Sequence, residues 1–132
     1  MPEDNFELVC DRLSSAVDGV QFERLRWART EGPMLARLVE LTLAAIEARS
    51  DYELTEEGSR GDTKRFVLKV HGTRVVAISA GLDAGRAVMA AEAIDRSRFW
   101  LASSEPIAAD YAAVDHAWIT NALGTLLGRI QA

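Results

Sequence analysis

The chain has 132 residues, of which 48% are hydrophobic and 27% charged, and its formal net charge is −5. A chain of this length and composition is expected to fold as a single globular domain over residues 1–132. The acidic balance disfavours nucleic-acid binding, and no apolar run approaches the roughly 20 residues of a membrane-spanning helix.

The cysteine count and the first residues predict the cellular compartment. Cys10 is the one cysteine, so no disulfide can form within the chain. The opening residues, MPEDNFELVC, are acidic where a secretory signal would be basic and then apolar. These features predict a cytoplasmic protein.

Helical spacing dominates the first third of the chain. Apolar residues recur every three to four positions over 4–17, which predicts a short amphipathic helix. Residues 20–28, VQFERLRWA, alternate in two opposite phases, and both a bulged edge strand and a helical turn fit them. A second helix is predicted over 32–49, with Pro33 in its first turn.

After Ser50 the apolar spacing changes to two, which predicts strands at about 51–57, 63–71 and 73–80. These strands form an antiparallel meander with one apolar face and one ionic face.

The expected register follows from the two turns. A loop at 58–62 places Leu54 opposite Phe66 and Tyr52 opposite Leu68. A tight turn at His71-Gly72 then places Leu68 opposite Val75.

The loop sequence GSRGDTK has two other interpretations, a phosphate-binding loop and an adhesive Arg-Gly-Asp tip. A phosphate-binding loop needs a strand before it and a helix after it, whereas this loop leads into a strand. Nothing else in the sequence suggests secretion. The loop is therefore interpreted as a hairpin tip.

Helices are predicted again over 84–96 and 105–130, and residues 98–102 fit a short strand or an irregular connector. The apolar residues of the last helix spread over more than one face, so part of it is expected to be covered by a second subunit. Gly124 and Gly128 predict close helix packing or dimerisation.

No catalytic, cofactor-binding or metal-ligating residues are assigned. His71, His116 and Cys10 lack the spacing of a zinc site. Asp115 and His116 are adjacent, so on a helix they diverge by about 100° and cannot form an acid-oriented base.

Two clusters of arginine with aromatic residues, together with the last helix, give the candidate interaction surface. Arginine and tryptophan are enriched at interface hot spots because they bury area and form planar hydrogen bonds. The candidates are Arg24, Arg26, Trp27, Arg98, Phe99, Trp100, Trp118, Leu123 and Leu127.

The fold class predicted is α+β, a three-stranded antiparallel meander packed against helices. With DYELTEE, TKRFVLKVHG and TRVVAISAG between helices, the element order resembles small secretion-chaperone-like domains. With a strand at 20–28 it is similar to the roadblock or longin group.

The leading functional hypothesis is a non-enzymatic protein-interaction module, an adaptor, chaperone or inhibitor, that forms a homodimer and binds a protein partner. A small-molecule or anion-binding domain is the alternative, with a pocket between sheet and helices and Arg65, Lys69 or Arg74 holding an anion. An enzyme of unrecognised type is the third.

Overall fold

The computed structural model describes the backbone of residues 2–132 and the side chains from Asn5 onward. The chain divides into two compact units, Met1–Pro33 and Met34–Ala132. The described part of the first unit is helical, and the second unit contains the sheets. The expectation of a single domain over 1–132 stays a prediction.

Two helices occupy the first third of the chain, α1 at Pro2–Val17 and α2 at Gly19–Glu47. Helix α1 confirms the helix predicted over 4–17. Residues 20–28 are helical, so the bulged-strand alternative is wrong, and Pro33 lies inside α2 rather than in a first turn. Helix α2 begins early because the carboxylate of Asp18 accepts a hydrogen bond from the amide of Gln21 at 3.0 Å, which caps it.

No helix in the described range 2–132 combines the length and the apolar character needed to cross a bilayer.

The second unit is built on a five-stranded antiparallel sheet. The α+β class is therefore confirmed, and the sheet is larger than the predicted three-stranded meander. In their order across the sheet, its strands are β1 at Tyr52–Glu56, β2 at Thr63–Val70, β3 at Thr73–Asp83, β4 at Arg86–Glu92 and β6 at Ile107–Asp110.

The predicted β1–β2 register is wrong by two residues. Leu54 pairs with Leu68 rather than Phe66, and Tyr52 pairs with Val70. The amide of Glu57 donates to the carbonyl of Arg65 at 3.0 Å, and reciprocal backbone bonds between Arg60 and Thr63 close the tip of the loop. Thr63 and Lys64 therefore have no partner on β1, which moves every pair by two residues. A shift of two residues preserves the alternation, so each side chain keeps its predicted face.

The turn between β2 and β3 is as predicted, but the register after it is not. His71 and Gly72 have φ angles of 51° and 76°, the left-handed conformation of a tight hairpin turn. A bulge at Leu68/Lys69 then pairs Leu68 with Val76 instead of Val75. The alternation in β3 is therefore displaced by one residue.

The helix predicted over 84–96 is wrong, because this stretch contains strand β4. Ala84 and Gly85 have φ angles of 50° and 79° and form a tight turn that pairs Asp83 with Arg86. The alanine-rich sequence favours a helix locally, but pairing along the full length of β4 with β3 overrides that preference.

The helix predicted over 105–130 is also wrong in its first half. Strand β6, which pairs with β4, precedes a short 3-10 turn at Tyr111–Ala113, and helix α3 occupies only His116–Gly128. The cap of α3 is Asp115, whose carboxylate accepts a hydrogen bond from the amide of Trp118 at 2.8 Å.

Residues 98–102 include a short strand, β5 at Trp100–Leu101, which pairs with β7 at Ile130–Gln131. These two strands form their own sheet, so 98–102 does not extend the main one.

The hydrophobic core lies between one face of the main sheet and the helices of the second unit. Leu68 and Ile78 of the sheet cluster with Leu38 of α2 and with Ile119 and Leu126 of α3. The apolar face predicted for β2 is thus confirmed, but on β3 it contains Val76 and Ile78, which the predicted alternation placed on the opposite face.

The opposite face of the sheet is only partly ionic. Val67 and Ala77 are fully buried at its centre, and the half-buried Arg65 and Lys69 lie beside them.

Candidate functional site

The first arginine–aromatic cluster lies on α2 within the first unit. Arg24 and Arg26 are exposed, and Arg26 makes an exposed ion pair with Glu23 at 3.4 Å. Trp27 is half-buried because its ring packs over Gly32. A Cβ atom added to Gly32 would lie 3.2 Å from the nearest carbon of that ring. This cluster is accessible, but its tryptophan is partly used within its own helix.

The second cluster surrounds strand β5. Phe99 packs against the core and Trp100 is 54% exposed, as expected for neighbours on an extended segment. The guanidinium of Arg98 lies 5.1 Å from the centre of the Phe99 ring. Trp100 is thus the accessible aromatic residue of this cluster, next to the exposed Arg98.

The candidates on α3 are mostly part of the core. Leu123 is 3% exposed and offers no interaction surface, while Trp118 and Leu127 are partly buried against the core. A Cβ placed at Gly124 or Gly128 would meet no other atom within 4 Å, so neither glycine brings α3 close to another element of the chain. Their role in dimerisation stays a prediction.

The largest apolar exposure belongs to residues 5–30, called here the N-terminal helical segment. Among the described side chains, seven of the eight large exposed hydrophobic residues lie in this segment. They are Phe6, Leu8, Val9, Leu13, Val17, Val20 and Leu25, with exposures of 49–78%. Trp100 is the eighth.

The break between α1 and α2 does not interrupt the helical hydrogen-bond spacing. The amide of Asp18 donates to the carbonyl of Ser14 at 3.0 Å, and the amide of Phe22 donates to the carbonyl of Asp18 at 2.9 Å. Both bonds join residues four apart. A groove of about 420 Å³ crosses the break, with Cys10 and Leu13 before Asp18 and Gln21 and Phe22 after it among its lining residues. One face therefore continues through Asp18.

Charge changes sign along the N-terminal helical segment. Between residues 5 and 18 the sequence has Glu7, Asp11 and Asp18 against Arg12, a net charge of −2. Between 19 and 30 it has three arginines against Glu23, a net charge of +2.

Two adjoining cavities lie between the sheet and the helices of the second unit. One, of about 400 Å³, lies between α2 and α3 and includes Gly124 in its lining. The other, of about 260 Å³, is lined by apolar side chains that include Leu68 and Phe99. Tyr52 and Leu127 line both, so the cavities share a wall.

A polar cleft of about 810 Å³ includes Arg60, Arg65 and Glu92. Arg65 pairs with Glu92, and its guanidinium also donates to the carbonyl of Glu57 at 3.1 Å. The positive charge of Arg65 is therefore already matched within the cleft.

Of the other two residues named for anion binding, Arg74 has a similar partner, whereas no ion pair among the described residues includes Lys69. Arg74 pairs with Glu57 at 3.0 Å, and Lys64, next to Arg65, pairs with Glu56 at 3.4 Å. These pairs weaken the case for an anion site on Arg65 and Arg74, since an anion would have to displace a carboxylate.

The carboxyl groups with shifted pKa values are at the ends of β1. The guanidinium of Arg49 donates a bidentate hydrogen bond to the two carboxylate oxygens of Asp51, with both N–O distances 3.0 Å, and this lowers the pKa of Asp51. A hydrogen bond with the Ser59 hydroxyl, and next to it the charge of Lys64, lowers the pKa of Glu56. Each shift has a structural cause in a turn or hairpin, and neither marks a reactive group.

Within the described residues, no three His, Cys, Asp or Glu side chains converge in a way that could hold a metal ion. His71 is in the β2–β3 turn, and His116 begins α3.

The sequence interpretation missed the exposed face as a candidate site. The apolar positions of residues 4–17 predict one side of an amphipathic helix, and that side is expected to be buried. The pattern does not identify the element or chain that buries it. The sequence feature that points to this face is the alternating interval of four and three residues between positions 6, 10, 13 and 17, which continues past Asp18 to Val20 and Arg24.

Comparison of the chain with protein-family models, with curated proteins and with solved structures finds no match.

Proposed function

We propose that this chain is a non-enzymatic protein-interaction module that self-associates through the N-terminal helical segment. The observation that carries the proposal is the exposure there of seven of the eight large apolar side chains that the structure describes as exposed. A contiguous apolar surface in water is unfavourable, and on folded proteins it usually marks a binding surface.

The position of the exposed residues supports association rather than catalysis. They follow one another on regular helix, where side-chain spacing is fixed and a second helix can pack against them. The polar groups near them are largely charged and solvated, as at the rim of an interface. Adaptor, chaperone-like and inhibitor roles all use such a surface, and the exposed Cys10 suits a reducing cytoplasm.

The test is the mass of the full-length chain in solution, measured by size-exclusion chromatography with light scattering. We expect a dimer whose fraction grows with concentration, and Val17→Glu should abolish it because Val17 is 78% exposed and central to the segment. Ser15→Glu is the matched control, since Ser15 is an exposed position on the opposite side of the same helix.

The control should dimerise as the wild-type chain does. A wild-type chain that stays monomeric at every concentration would overturn the proposal, and so would equal loss of dimer in both variants.

A second candidate function, binding of a small apolar ligand, is supported by the two cavities that share Tyr52 and Leu127. Their sizes are near the lower end for ligand pockets. An apolar fluorescent probe should bind to the Val17→Glu variant and lose that binding when Leu127→Trp fills the shared wall. Probe binding that disappears with Val17→Glu alone would assign it to the N-terminal helical segment instead.

A further inference from the structure

Four of the seven exposed apolar residues of the N-terminal helical segment follow the spacing of a coiled-coil seam. Residues at alternating intervals of four and three stay within about 40° of one line on a helix that turns 100° per residue. The positions that fit are Phe6, Cys10, Leu13, Val17, Val20 and Arg24, called here the seam.

The seam is also where exposure is greatest. Val17, Val20, Leu13 and Phe6 are 78%, 74%, 65% and 64% exposed, the four highest values among the exposed large apolar residues. Leu8, at 62%, lies on the far side of the helix and is outside the seam. The face with the most exposed apolar surface therefore coincides with the face that a second helix would cover.

Charge distinguishes the possible occupants of the seam. Residues 5–18 have a net charge of −2 and residues 19–30 a net charge of +2, so the segment is complementary to itself only when reversed. Parallel pairing would set Arg24 beside Arg24 of the other copy, and like charges in register destabilise a helix pair.

We infer that two copies of this chain pair antiparallel along the seam, the acidic half of one segment lying against the arginine-bearing half of the other. The inference rests on the proposed self-association and specifies its geometry. We take the register that places each seam residue directly opposite a seam residue of the second copy. In this register Leu13 lies opposite Val17, Cys10 opposite Val20, and Phe6 opposite Arg24 of the second copy. That last pair brings a guanidinium to an aromatic ring, a favourable contact.

Cys10 provides the test, because it lies in the seam and is exposed. The full-length wild-type chain is mixed with a Cys10→Ser, Val20→Cys variant and oxidised mildly. Antiparallel pairing brings the cysteine at 10 next to the one at 20 on the other chain, so the mixture should form mixed disulfide dimers. Neither chain alone should do so, because like positions are then ten residues apart, about 15 Å along the helix axis.

A Cys10→Ser, Ser15→Cys variant is the control for random collision, since position 15 is outside the seam. It should cross-link to neither partner above background.

The possible outcomes separate the two proposals. Cross-linking of each chain with itself, without mixed dimers, would establish parallel pairing and overturn the antiparallel inference while leaving self-association in place. A dimer by light scattering with no cross-link in any combination would place the interface elsewhere and also overturn it. A monomer by light scattering would remove the proposed function itself.

Salt gives an independent readout of orientation. Attraction between oppositely charged halves is screened by salt, so the dissociation constant should rise several-fold between low and high ionic strength. Arg24→Glu with Arg26→Glu changes the net charge of residues 19–30 from +2 to −2, so it should raise the dissociation constant at low salt and reverse the sign of its salt dependence. A dissociation constant of the wild-type chain that falls with added salt would indicate like charges in register and contradict the inference.

Discussion

Two leucines of the chain are expected to respond very differently to the same substitution. Leu68 on β2 is 1% exposed and pairs with Leu54 and Val76 in the sheet, whereas Leu13 on α1 is 65% exposed. Leu68→Ala and Leu13→Ala delete the same atoms, so the difference between them measures the environment alone.

The expected magnitudes follow from burial. Truncating a buried leucine costs about 2–5 kcal/mol in the free energy of unfolding. Leu68 already borders a cavity of about 260 Å³ and so lacks some packing partners, which places its cost at about 3 kcal/mol. Leu13 has lost little of its hydration, and alanine is the better helix former, so Leu13→Ala should change the free energy by less than about 0.5 kcal/mol in dilute solution.

The assay is urea denaturation followed by tryptophan fluorescence, first at high dilution and then at about a hundredfold higher concentration, where mass action stabilises a dimer. The wild-type midpoint should rise with concentration, and Leu13→Ala should suppress that rise, because the truncation matters only when Leu13 is covered by a second copy. Leu68→Ala should lower the midpoint equally at both concentrations. If Leu13→Ala is as costly as Leu68→Ala at high dilution, Leu13 is buried within its own chain and the reasoning is wrong.

Three further predictions concern the turns and the first unit. Ala84→Gly should stabilise the chain by up to about 1 kcal/mol in thermal unfolding, because Ala84 has a left-handed φ of 50°; Gly85→Ala, with φ 79° in the same turn, should destabilise it. Arg49→Gln should raise the pKa of Asp51 toward its ordinary value, as measured by carboxyl NMR titration. Because the hydrogen bond from Arg49 lowers the pKa of Asp51, this bond stabilises the folded chain above the unfolded-state pKa of Asp51. That stabilisation is lost as pH falls through the folded-state pKa. An unchanged pKa of Asp51 in the variant would show that Arg49 does not cause the shift. Amides of residues 5–30 should exchange hydrogen quickly at high dilution and more slowly at high concentration, since an uncovered helix is marginal in water; equal exchange at both concentrations would argue against self-association.

Alternation predicted the centre of the fold well, because two physical requirements agree there. Phe66 and Leu68 need burial and also favour strands, and His71-Gly72 supplies the turn that joins β2 to β3. The register errors came from features that alternation does not encode. A bulge at Leu68/Lys69 shifts the partners of β3, and a hairpin loop that takes in Thr63 and Lys64 on the β1 side shifts the partners of β1. Neither feature changes which residues are apolar.

The strands missed by the sequence interpretation, β4 and β6, are rich in alanine. Alanine and methionine favour helix when a segment is considered alone, so Ala87, Met89 and Ala91 predict a helix by composition. What decides the outcome is pairing with β3, a contact between segments that local spacing cannot reveal. The small side chains then have a structural use, since they let β4 lie between β3 and β6 in a sheet whose core side is already filled by residues such as Ile78 and Ile119.

The candidate site could not be predicted from the sequence for a related reason. An amphipathic helix has the same pattern whether its apolar face meets its own sheet or another chain, so residues 4–17 and 105–130 both predict helices covering the meander. The structure separates the two cases through exposure: Ile119 and Leu126 of α3 are buried, whereas Leu13 and Val17 are exposed. Charge supplies what the apolar pattern omits, because a segment that changes sign halfway along its length is complementary to a reversed copy of itself. The proposed dimer therefore takes its contact surface from the apolar seam and its antiparallel direction from the order of the charges.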